Sequence, residues 1–439
     1  MTTILIGDLS GGFSLTRNKS GKNQTLIGTD NDSINIIFGD AVFMYDRSNG
    51  GHDTLQGGDN SSGNLINGLV GDAAEMFDSS KGGNDTLQGG DNSGGILING
   101  LAGDATMMHD SSTGGNDTLQ GGNNSGKILI NGLFGDAALM LESSKGGNDK
   151  LQGGNNDGGI LVEGLAGDAA MMLDSSKGGN DTLQGGNNDG GILVEGLAGD
   201  AAMMLGSSKG GNDTLRGGIN SDGTLVNVLV GDAVNMFDHS KGGNDTLWGS
   251  NNDGTGIVIN HLYGDARNMS DSVEAGNDRL ISGSNATDHM YGDAKNLISN
   301  DTDISDFTAS VVDTFGVNQI NAFLQSGGSE FEFDSLNDIV NNLRNIFDSN
   351  DDSILTSPTA GGADIFVFNG HFGNDFIYDF RQSDRDKIEL SITGVDSFDD
   401  LDINDDGSDT TITAEGHGTV TLVGLTGVNL AAENFIFSS

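Results

Sequence analysis

The chain of 439 residues contains no cysteine, one proline and one tryptophan, and it has 19 basic residues against 64 acidic ones. A formal charge of −45 argues against nucleic acid as a partner, because proteins that bind nucleic acid carry basic patches. The same charge argues against binding to an anionic membrane surface. The absence of cysteine fits the cytosol, and it fits equally well a secreted protein that metal stabilises in place of disulfides.

Long apolar runs are also absent. No stretch approaches the ~18 consecutive apolar residues of a membrane-spanning helix. The first residues, Met1 to Ile4, do not begin a basic segment followed by an apolar one, so we expect no cleavable N-terminal signal peptide. These absences alone predict a cytoplasmic protein without a membrane span.

Glycine and acidic residues recur at fixed positions. The Asp of Gly-Asn-Asp, or of Gly-His-Asp, is found at 53, 85, 117, 149, 181, 213, 245 and 278, and the Asp of Gly-Asp-Ala at 40, 72, 104, 136, 168, 200, 232, 265 and 293. In both series the dominant period is 32 (for example 117 − 85 = 32). Such a period indicates stacked, near-identical coils. We therefore predict an all-β fold, a parallel β-roll or β-solenoid of eight to nine coils with this period.

One unit, Gly82 to Thr113, illustrates the expected coil. Thr86-Leu87-Gln88 reads as a short strand with Leu87 pointing inward, and a second strand carries Leu101. Asn92 recurs once per coil, which predicts a stacked amide ladder. After Asp104, an apolar residue follows at Met108, a spacing that predicts one helical turn with an Asp N-cap. Two strands per coil are therefore expected.

The repeated carboxylates predict calcium sites. Calcium takes 6–8 oxygen ligands, and glycine-rich turns let backbone carbonyls approach closely. One Asp from each of two neighbouring coils can sandwich an ion, which selects Asp53, Asp85, Asp117, Asp149, Asp181, Asp213, Asp245 and Asp278. The aspartates of the Gly-Asp-Ala motifs lead into the same turn, and they are either further calcium ligands or helix caps. They are Asp72, Asp104, Asp136, Asp168, Asp200, Asp232 and Asp265.

These motifs resemble the RTX family of hemolysin-type calcium-binding repeats. Gly114-Gly115-Asn116-Asp117-Thr118-Leu119 looks like half of a family unit, and Thr287 to Asp293 looks like a nearly regular copy that adds Asp288 and Asp293 as candidate ligands. The resemblance covers about residues 28 to 300. A family coil consists of two nonapeptide units, however, whereas the coil of this chain is longer because both turns carry insertions. The second turn carries Asn or Glu where the family has Asp, so whether calcium binds there remains open. These residues are Asn67, Asn99, Asn131, Glu163, Glu195, Asn227 and Asn260.

The C-terminal part carries the resemblance further. Gly361 to Phe368 looks like a last family coil and Gly373 to Phe380 follows it, which implies Asp364 and Asp375 as calcium ligands. Residues 361–439 resemble the uncleaved export region of type I secretion substrates. The resemblance thus implies export by the type I secretion machinery and an extracellular or cell-surface location.

Residues 301–360 lack the repeat and are predicted to be partly helical, capping the solenoid. Within them, Asp348, Asn350 and Asp352 resemble the start of an EF-hand calcium loop, although Ser353 and Thr359 depart from that pattern. An isolated calcium site and a polar linker both remain open. The expected organisation is an N-terminal cap (1–28), calcium-binding repeats (29–300), the capping segment (301–360) and the C-terminal coil with the export region (361–439).

The function expected first is a secreted calcium-binding structural or adhesive protein, part of a coat, matrix or filament, with self-association as one option. The alternatives are a calcium-dependent module for glycan or ice, based on the repeated Lys and Thr columns, and a secreted enzyme or toxin. Only the short segment 1–28 precedes the repeats, it contains no His, and the chain contains no His-Glu-x-x-His. We therefore expect no enzymatic activity.

Overall fold

The computed structural model describes residues 2–7, 14–16, 18–31, 33–270, 272–298, 361–426 and 430–438. These residues form a parallel β-solenoid of about nine turns, spaced about 32 residues apart, with almost no helix. The predicted fold class is therefore confirmed. The predicted helical segment at 301–360, with Asp348, Asn350 and Asp352, lies outside the described residues.

Each regular coil contributes one strand to each of three sheets. Sheet 1 has 14 strands, of which the last three pair antiparallel. In spatial order they are Thr2–Ile6, Ile34–Phe38, Asn64–Val70, Ile96–Ala102, Ile128–Phe134, Ile160–Ala166, Ile192–Ala198, Thr224–Val230, Ile257–Tyr263, Thr287–Tyr291, Gly373–Ile377, Gly418–Leu422, Thr410–Ala414 and Leu401–Asp405.

Sheet 2 is built from 12 shorter strands, which lie in chain order and are parallel throughout. They are Thr25–Ile27, Thr54–Gln56, Thr86–Gln88, Thr118–Gln120, Lys150–Gln152, Thr182–Gln184, Thr214–Arg216, Thr246–Trp248, Arg279–Ile281, Ile365–Asn369, Lys387–Ser391 and Phe435–Phe437. In the repeat strands the middle residue points inward, as predicted for Leu87, which is fully buried.

Sheet 3 corrects the prediction of two strands per coil. The segment after each Gly-Asp-Ala aspartate is a strand paired with its neighbours, and the predicted helical turn with an Asp N-cap is wrong. The ten strands are Ser14–Leu15, Ala41–Met44, Ala73–Met76, Ala105–Met108, Ala137–Met140, Ala169–Met172, Ala201–Met204, Ala233–Met236, Ala266–Ser270 and Ala294–Ile298. A small fourth sheet pairs Ile219–Asn220 with Asn251–Asn252, and Phe398–Asp400 and Ala432–Asn434 are 3₁₀ turns.

Three stacked apolar cores run along the solenoid. The main core lies between sheets 1 and 2 and contains Leu87 and Leu101. The strands of sheet 3 bury a second core of Ala105 and Met108 and their copies, and Leu97 with its copies forms a third. Each repeat buries the same side chains against those of the next coil, so the core is continuous although a single coil is thin.

Polar side chains close two constrictions between these cores. At the first, which we call the Asp neck, Asp104 reaches across the coil to the backbone of Gly115. At the second, which we call the amide neck, Asn99 bonds to both the N–H and the carbonyl of Gly90. The predicted amide ladder is confirmed from Asn60 to Asn220, with amide-to-amide distances of 2.8–3.0 Å between coils, and it lies at the outer corner beyond the amide neck. It does not extend to Asn252, whose Oδ1 has no hydrogen-bond partner.

The two sides of the coil differ in how strictly their length is kept. Every Gly-Asp-Ala aspartate from Asp40 to Asp265 is followed 13 positions later by a column aspartate (for example 117 − 104 = 13). At the outer corner the length varies, since the pairings Asn220↔Asn252 and Thr224↔Ile257 show one residue inserted. In the next coil, Trp248 of sheet 2 pairs with Ile281, 33 residues later, whereas Ile259 of sheet 1 pairs with Thr287, only 28 residues later. The corner between these two strands is therefore five residues shorter.

The C-terminal residues continue and close the solenoid. Ile365–Asn369 pairs with Arg279–Ile281, and Gly373–Ile377 pairs with Thr287–Tyr291. Fully buried Phe366, Phe368 and Phe372 fill the main core at this end. Among the described residues, no helix has the length and hydropathy needed to cross a bilayer.

Candidate metal centre

The Gly-Asn-Asp aspartates form one column at the Asp neck, and each directly precedes a strand of sheet 2. The backbone N–H of Asp85 donates to Oδ1 of Asp117 at 2.6 Å, and Asp117 donates to Asp149 in the same way at 2.6 Å. This pattern continues from Asp53 to Asp278 and on to Asp364 and Asp386. From Asp53 to Asp278, one oxygen of each carboxylate is thereby held in the ladder and the other has no hydrogen-bond partner, whereas Oδ2 of Asp386 accepts from the N–H of Arg381.

The Gly-Asp-Ala aspartates form a second column that faces the first. Asp72 accepts from the N–H of Gly83 at 2.7 Å, and Asp104 accepts from Gly115 at 2.8 Å. Asp136, Asp168, Asp200, Asp232 and Asp265 repeat this bond one coil after another. Since these residues open strands and not helices, the helix-cap interpretation is excluded for them, and their side chains point into the neck.

The two columns converge into linked clusters of three carboxylates. Ligand atoms of Asp72, Asp85 and Asp104 all lie within 4.8 Å of one another, and so do those of Asp104, Asp117 and Asp136. The first coil adds a cluster of Asp40, Asp53 and Asp72. Neighbouring clusters share an aspartate, so these three clusters form a row of oxygen cages from Asp40 to Asp136.

Burial makes this arrangement costly without a cation. Asp104 and Asp136 are 0% exposed, and Asp85 and Asp117 are 2% exposed. In each of Asp53, Asp85, Asp117, Asp149, Asp181, Asp213, Asp245 and Asp278, the buried Oδ2 has no hydrogen-bond partner. An uncompensated buried charge costs several kcal/mol, typically about 3–5, so these oxygens require a proton or a cation.

The acid–base properties of the neck follow from the same burial. Desolvation raises the pKa of Asp53 to about 7 and that of Asp85 to about 8, with the neighbouring carboxylates adding to the shift. The pKa of Asp104 is raised well above its usual range by burial and by the charge of Asp136. Each carboxylate thus opposes ionisation of the next, as expected for like charges in a low-dielectric site.

Glycine is required where the chain passes the carboxylates. A Cβ on Gly82 would lie 1.5 Å from Oδ1 of Asp104, and one on Gly71 would lie 2.2 Å from Oδ2 of Asp85. The spaces that side chains would fill are therefore occupied by carboxylate oxygens. This explains why the aspartates recur beside glycines in every unit.

The remaining predicted residues among those described are divided between the two necks. Asp288 and Asp375 belong to the amide neck, where Asp288 accepts from Asn260 at 2.6 Å and its N–H donates to Asp375 at 3.2 Å. Burial and the charge of Asp288 raise the pKa of Asp375 to about 10. At the end of the Asp neck, Asp293 forms an ion pair with Arg381 at 3.1 Å. Arg381 therefore supplies a cationic partner for Asp293 at this end of the neck.

Three aspartates of the neck were not among the residues predicted from the sequence. Asp40 belongs to the first cluster and is signalled by its own Gly-Asp-Ala motif. Asp386 accepts from the N–H of Asp364 at 3.1 Å and precedes the strand Lys387–Ser391, although no Gly-Asn-Asp marks it. Asp379 accepts from the N–H groups of Gly292 and Asp293. Asp379 and Asp386 carry neither repeat motif, so only their positions next to strands could have indicated them.

The fold and the site together define a parallel β-solenoid with a buried carboxylate column. No protein-family model matches the chain, and a search of curated proteins finds no significant relative. The chemistry of the site therefore carries the functional argument.

Proposed function

We propose that this chain is a secreted calcium-binding structural protein of RTX type whose solenoid folds when calcium fills the Asp neck. The observation that supports this most directly is the cage of Asp104, Asp117 and Asp136, three buried carboxylates within 4.8 Å of one another. Oδ2 of Asp117 is buried without a hydrogen-bond partner, and a cation inside that cage would neutralise it.

The donor set favours calcium among the common metals. The clusters consist of carboxylates alone, whereas zinc and copper sites in proteins usually include His or Cys ligands. Magnesium demands near-ideal octahedral geometry and retains its waters, which a row of buried cages does not accommodate well. Calcium accepts irregular sets of oxygen ligands and would neutralise carboxylates from two successive coils at once.

Metal binding of this kind supplies folding free energy, because the cages do not exist in the unfolded chain. A chain with a formal charge of −45 resists compaction until cations neutralise its carboxylates. Low calcium inside a cell would keep the chain unfolded for export, and higher calcium outside would fold it. The resemblance of residues 361–439 to type I export regions supports this route to the cell surface or medium.

The role proposed for the folded protein is structural or adhesive. Almost all of the described strands belong to the solenoid or its closed end. The carboxylates of the Asp neck are buried, so they are placed to bind ions inside the fold and not a substrate at the surface. We assign no catalytic residue.

Circular dichroism and small-angle scattering in excess chelator and in millimolar calcium test the proposal. We expect an expanded chain with little β-sheet in chelator and a compact rod in calcium, with magnesium as the control cation. Equal β-sheet content and shape under both conditions would refute calcium-dependent folding. Export is tested separately by removing residues 361–439 in a host with a type I exporter, which should abolish secretion.

A further inference from the structure

The amide neck is a continuous hydrogen-bonded ladder in the first coils. The Nδ2 group of Asn35 donates to Asn67 at 2.7 Å, Asn67 donates to Asn99 at 2.8 Å, and Asn99 donates to Asn131 at 2.9 Å. Each Asn also bonds to the backbone of its own coil, as Asn99 does with Gly90. These rungs are internally satisfied and need no cation.

The ladder then meets two consecutive carboxylates. Asn131 donates to Oε1 of Glu163 at 2.8 Å, but Glu163 pairs in register with Glu195, and Glu195 pairs with Asn227. An ionised Glu has no proton to donate, whereas an Asn amide has two. Two successive rungs therefore place acceptor against acceptor.

The oxygens at this break are buried and unpartnered. Oε2 of Glu163, Oε2 of Glu195 and Oδ1 of Asn227 have no hydrogen-bond partner, and the three residues are 3%, 0% and 0% exposed. The other carboxylate oxygens are fixed by the backbone, since Gly154 donates to Oε1 of Glu163 and Gly186 donates to Oε1 of Glu195. The free oxygens thus have defined positions.

Glycines again leave room for the carboxylates. A Cβ on Gly153 would lie 2.1 Å from Oε2 of Glu163, and one on Gly185 would lie 2.4 Å from Oε2 of Glu195. Burial raises the pKa of Glu163 to about 7, and burial together with the charge of Glu163 raises the pKa of Glu195 well above its usual range. A positive charge between the two rungs would remove both penalties.

We propose that Glu163, Glu195 and Asn227 form a separate site for one hard divalent cation, with calcium as the fitting ion, at the break in the amide ladder. The site lies at the opposite neck from the aspartate clusters and shares no residue with them. It replaces the two missing amide protons by a cation that the free oxygens of adjacent coils share. The amide neck would then bind metal between Glu163 and Glu195, in the middle of the solenoid, on the opposite side of the coil from the clusters of the Asp neck.

A crystal structure of the full chain grown in calcium tests this site without any variant. We expect a long-wavelength anomalous peak between Oε2 of Glu163 and Oε2 of Glu195. The double substitution Glu163→Gln with Glu195→Gln supplies the amide donors that would restore the ladder from Asn131 to Asn227. It should remove that peak and lower the bound calcium measured by elemental analysis by one ion per chain, while the peaks at the Asp neck persist.

The double substitution Glu142→Gln with Glu415→Gln is the matched control, because both residues are exposed and two negative charges are lost, as in the test variant. It should leave both the peaks and the ion count unchanged. Peaks at the Asp neck without one between Glu163 and Glu195 would overturn this site alone. Absence of calcium from both necks would overturn the site and the proposed function together.

Discussion

The backbone N–H of Asp85 donates a 2.6 Å hydrogen bond to Oδ1 of Asp117, its counterpart in the next coil. Because this bond holds Oδ1, the unpartnered Oδ2 of Asp117 remains for a ligand. The same contact therefore joins two coils and orients the oxygen that we propose as a calcium ligand. Under that proposal, folding and ion binding depend on the same contact at the Asp neck.

Substitution of Asp117 tests the neck directly. Asp117→Asn removes one charge from the cage of Asp104, Asp117 and Asp136, and calcium affinity depends on ligand charge. We expect the calcium concentration at the folding midpoint to rise roughly tenfold, equivalent to about 1.4 kcal/mol. Asp157→Asn is the control, since Asp157 is exposed, and it should leave the midpoint nearly unchanged. Equal midpoints for both variants in a calcium titration followed by circular dichroism would contradict the assignment.

Acidity should substitute partly for calcium. The pKa of Asp85 and that of Asp213 are each raised to about 8 in the folded chain, well above the unfolded value near 4. A raised pKa favours folding while the group is protonated, and this contribution is lost as pH rises from about 4 through about 8. In chelator, β-sheet content should therefore be higher at about pH 5 than at about pH 8.5. Circular dichroism across this pH range measures the β-sheet content. An increase in β-sheet content with rising pH would contradict the prediction.

A core substitution should be costly even with calcium bound. Leu119 is fully buried and stacks in register between Leu87 and Leu151. Leu119→Ala should destabilise the calcium-loaded protein by about 2–5 kcal/mol, because it removes apolar contacts and leaves a cavity. Thr118→Ala changes the exposed neighbour and should alter stability by less than about 0.5 kcal/mol. Denaturant unfolding at saturating calcium measures both, and similar losses would mean that Leu119 is not part of the core.

Close coil packing is tested by two glycines. A Cβ on Gly115 would lie 1.4 Å from the carbonyl oxygen of Gly83, whereas one on Gly158 would meet nothing within 4 Å. Gly115→Ala should cost about 3 kcal/mol or more, at the upper end of overpacking effects, and Gly158→Ala should be tolerated. Thermal melts in calcium distinguish the two. A tolerated Gly115→Ala would show that neighbouring coils lie further apart.

Much of the fold follows from the sequence because a strict period places identical residues on top of one another. Leu87 and its copies, and the Asn92 ladder, follow from that period alone. The strand Ala105–Met108 does not, since its two buried residues lie three apart, a spacing that one helical turn also produces. Only pairing with the adjacent coils selects the extended conformation, which is a tertiary effect beyond local propensity.

The candidate site was predictable as two columns of residues but not as a set of shared cages. The sequence separation of Asp104 and Asp117 does not reveal that the strand of sheet 3 returns to bring them together. Asp386 escaped prediction because it lacks the flanking motif and takes its place only through stacking on Asp364. Likewise, the break at Glu163 and Glu195 is visible as a sequence change, but its meaning depends on the direction in which amide protons are donated.

The unequal constraint on the two sides of the coil has a practical consequence. The corner around Asn252–Gly256 gains one residue and its successor loses five, and sheets 1 and 2 remain paired although the strand of sheet 1 shortens from Ile257–Tyr263 to Thr287–Tyr291. In contrast, the 13-residue separation between the two aspartates of each coil at the Asp neck is constant from Asp40 to Asp278. Foreign peptides grafted at that corner should be carried as outward loops, repeated at the strand spacing of about 4.8 Å. The protein could thus serve as a scaffold that displays epitopes or ligands in a row with regular, close spacing.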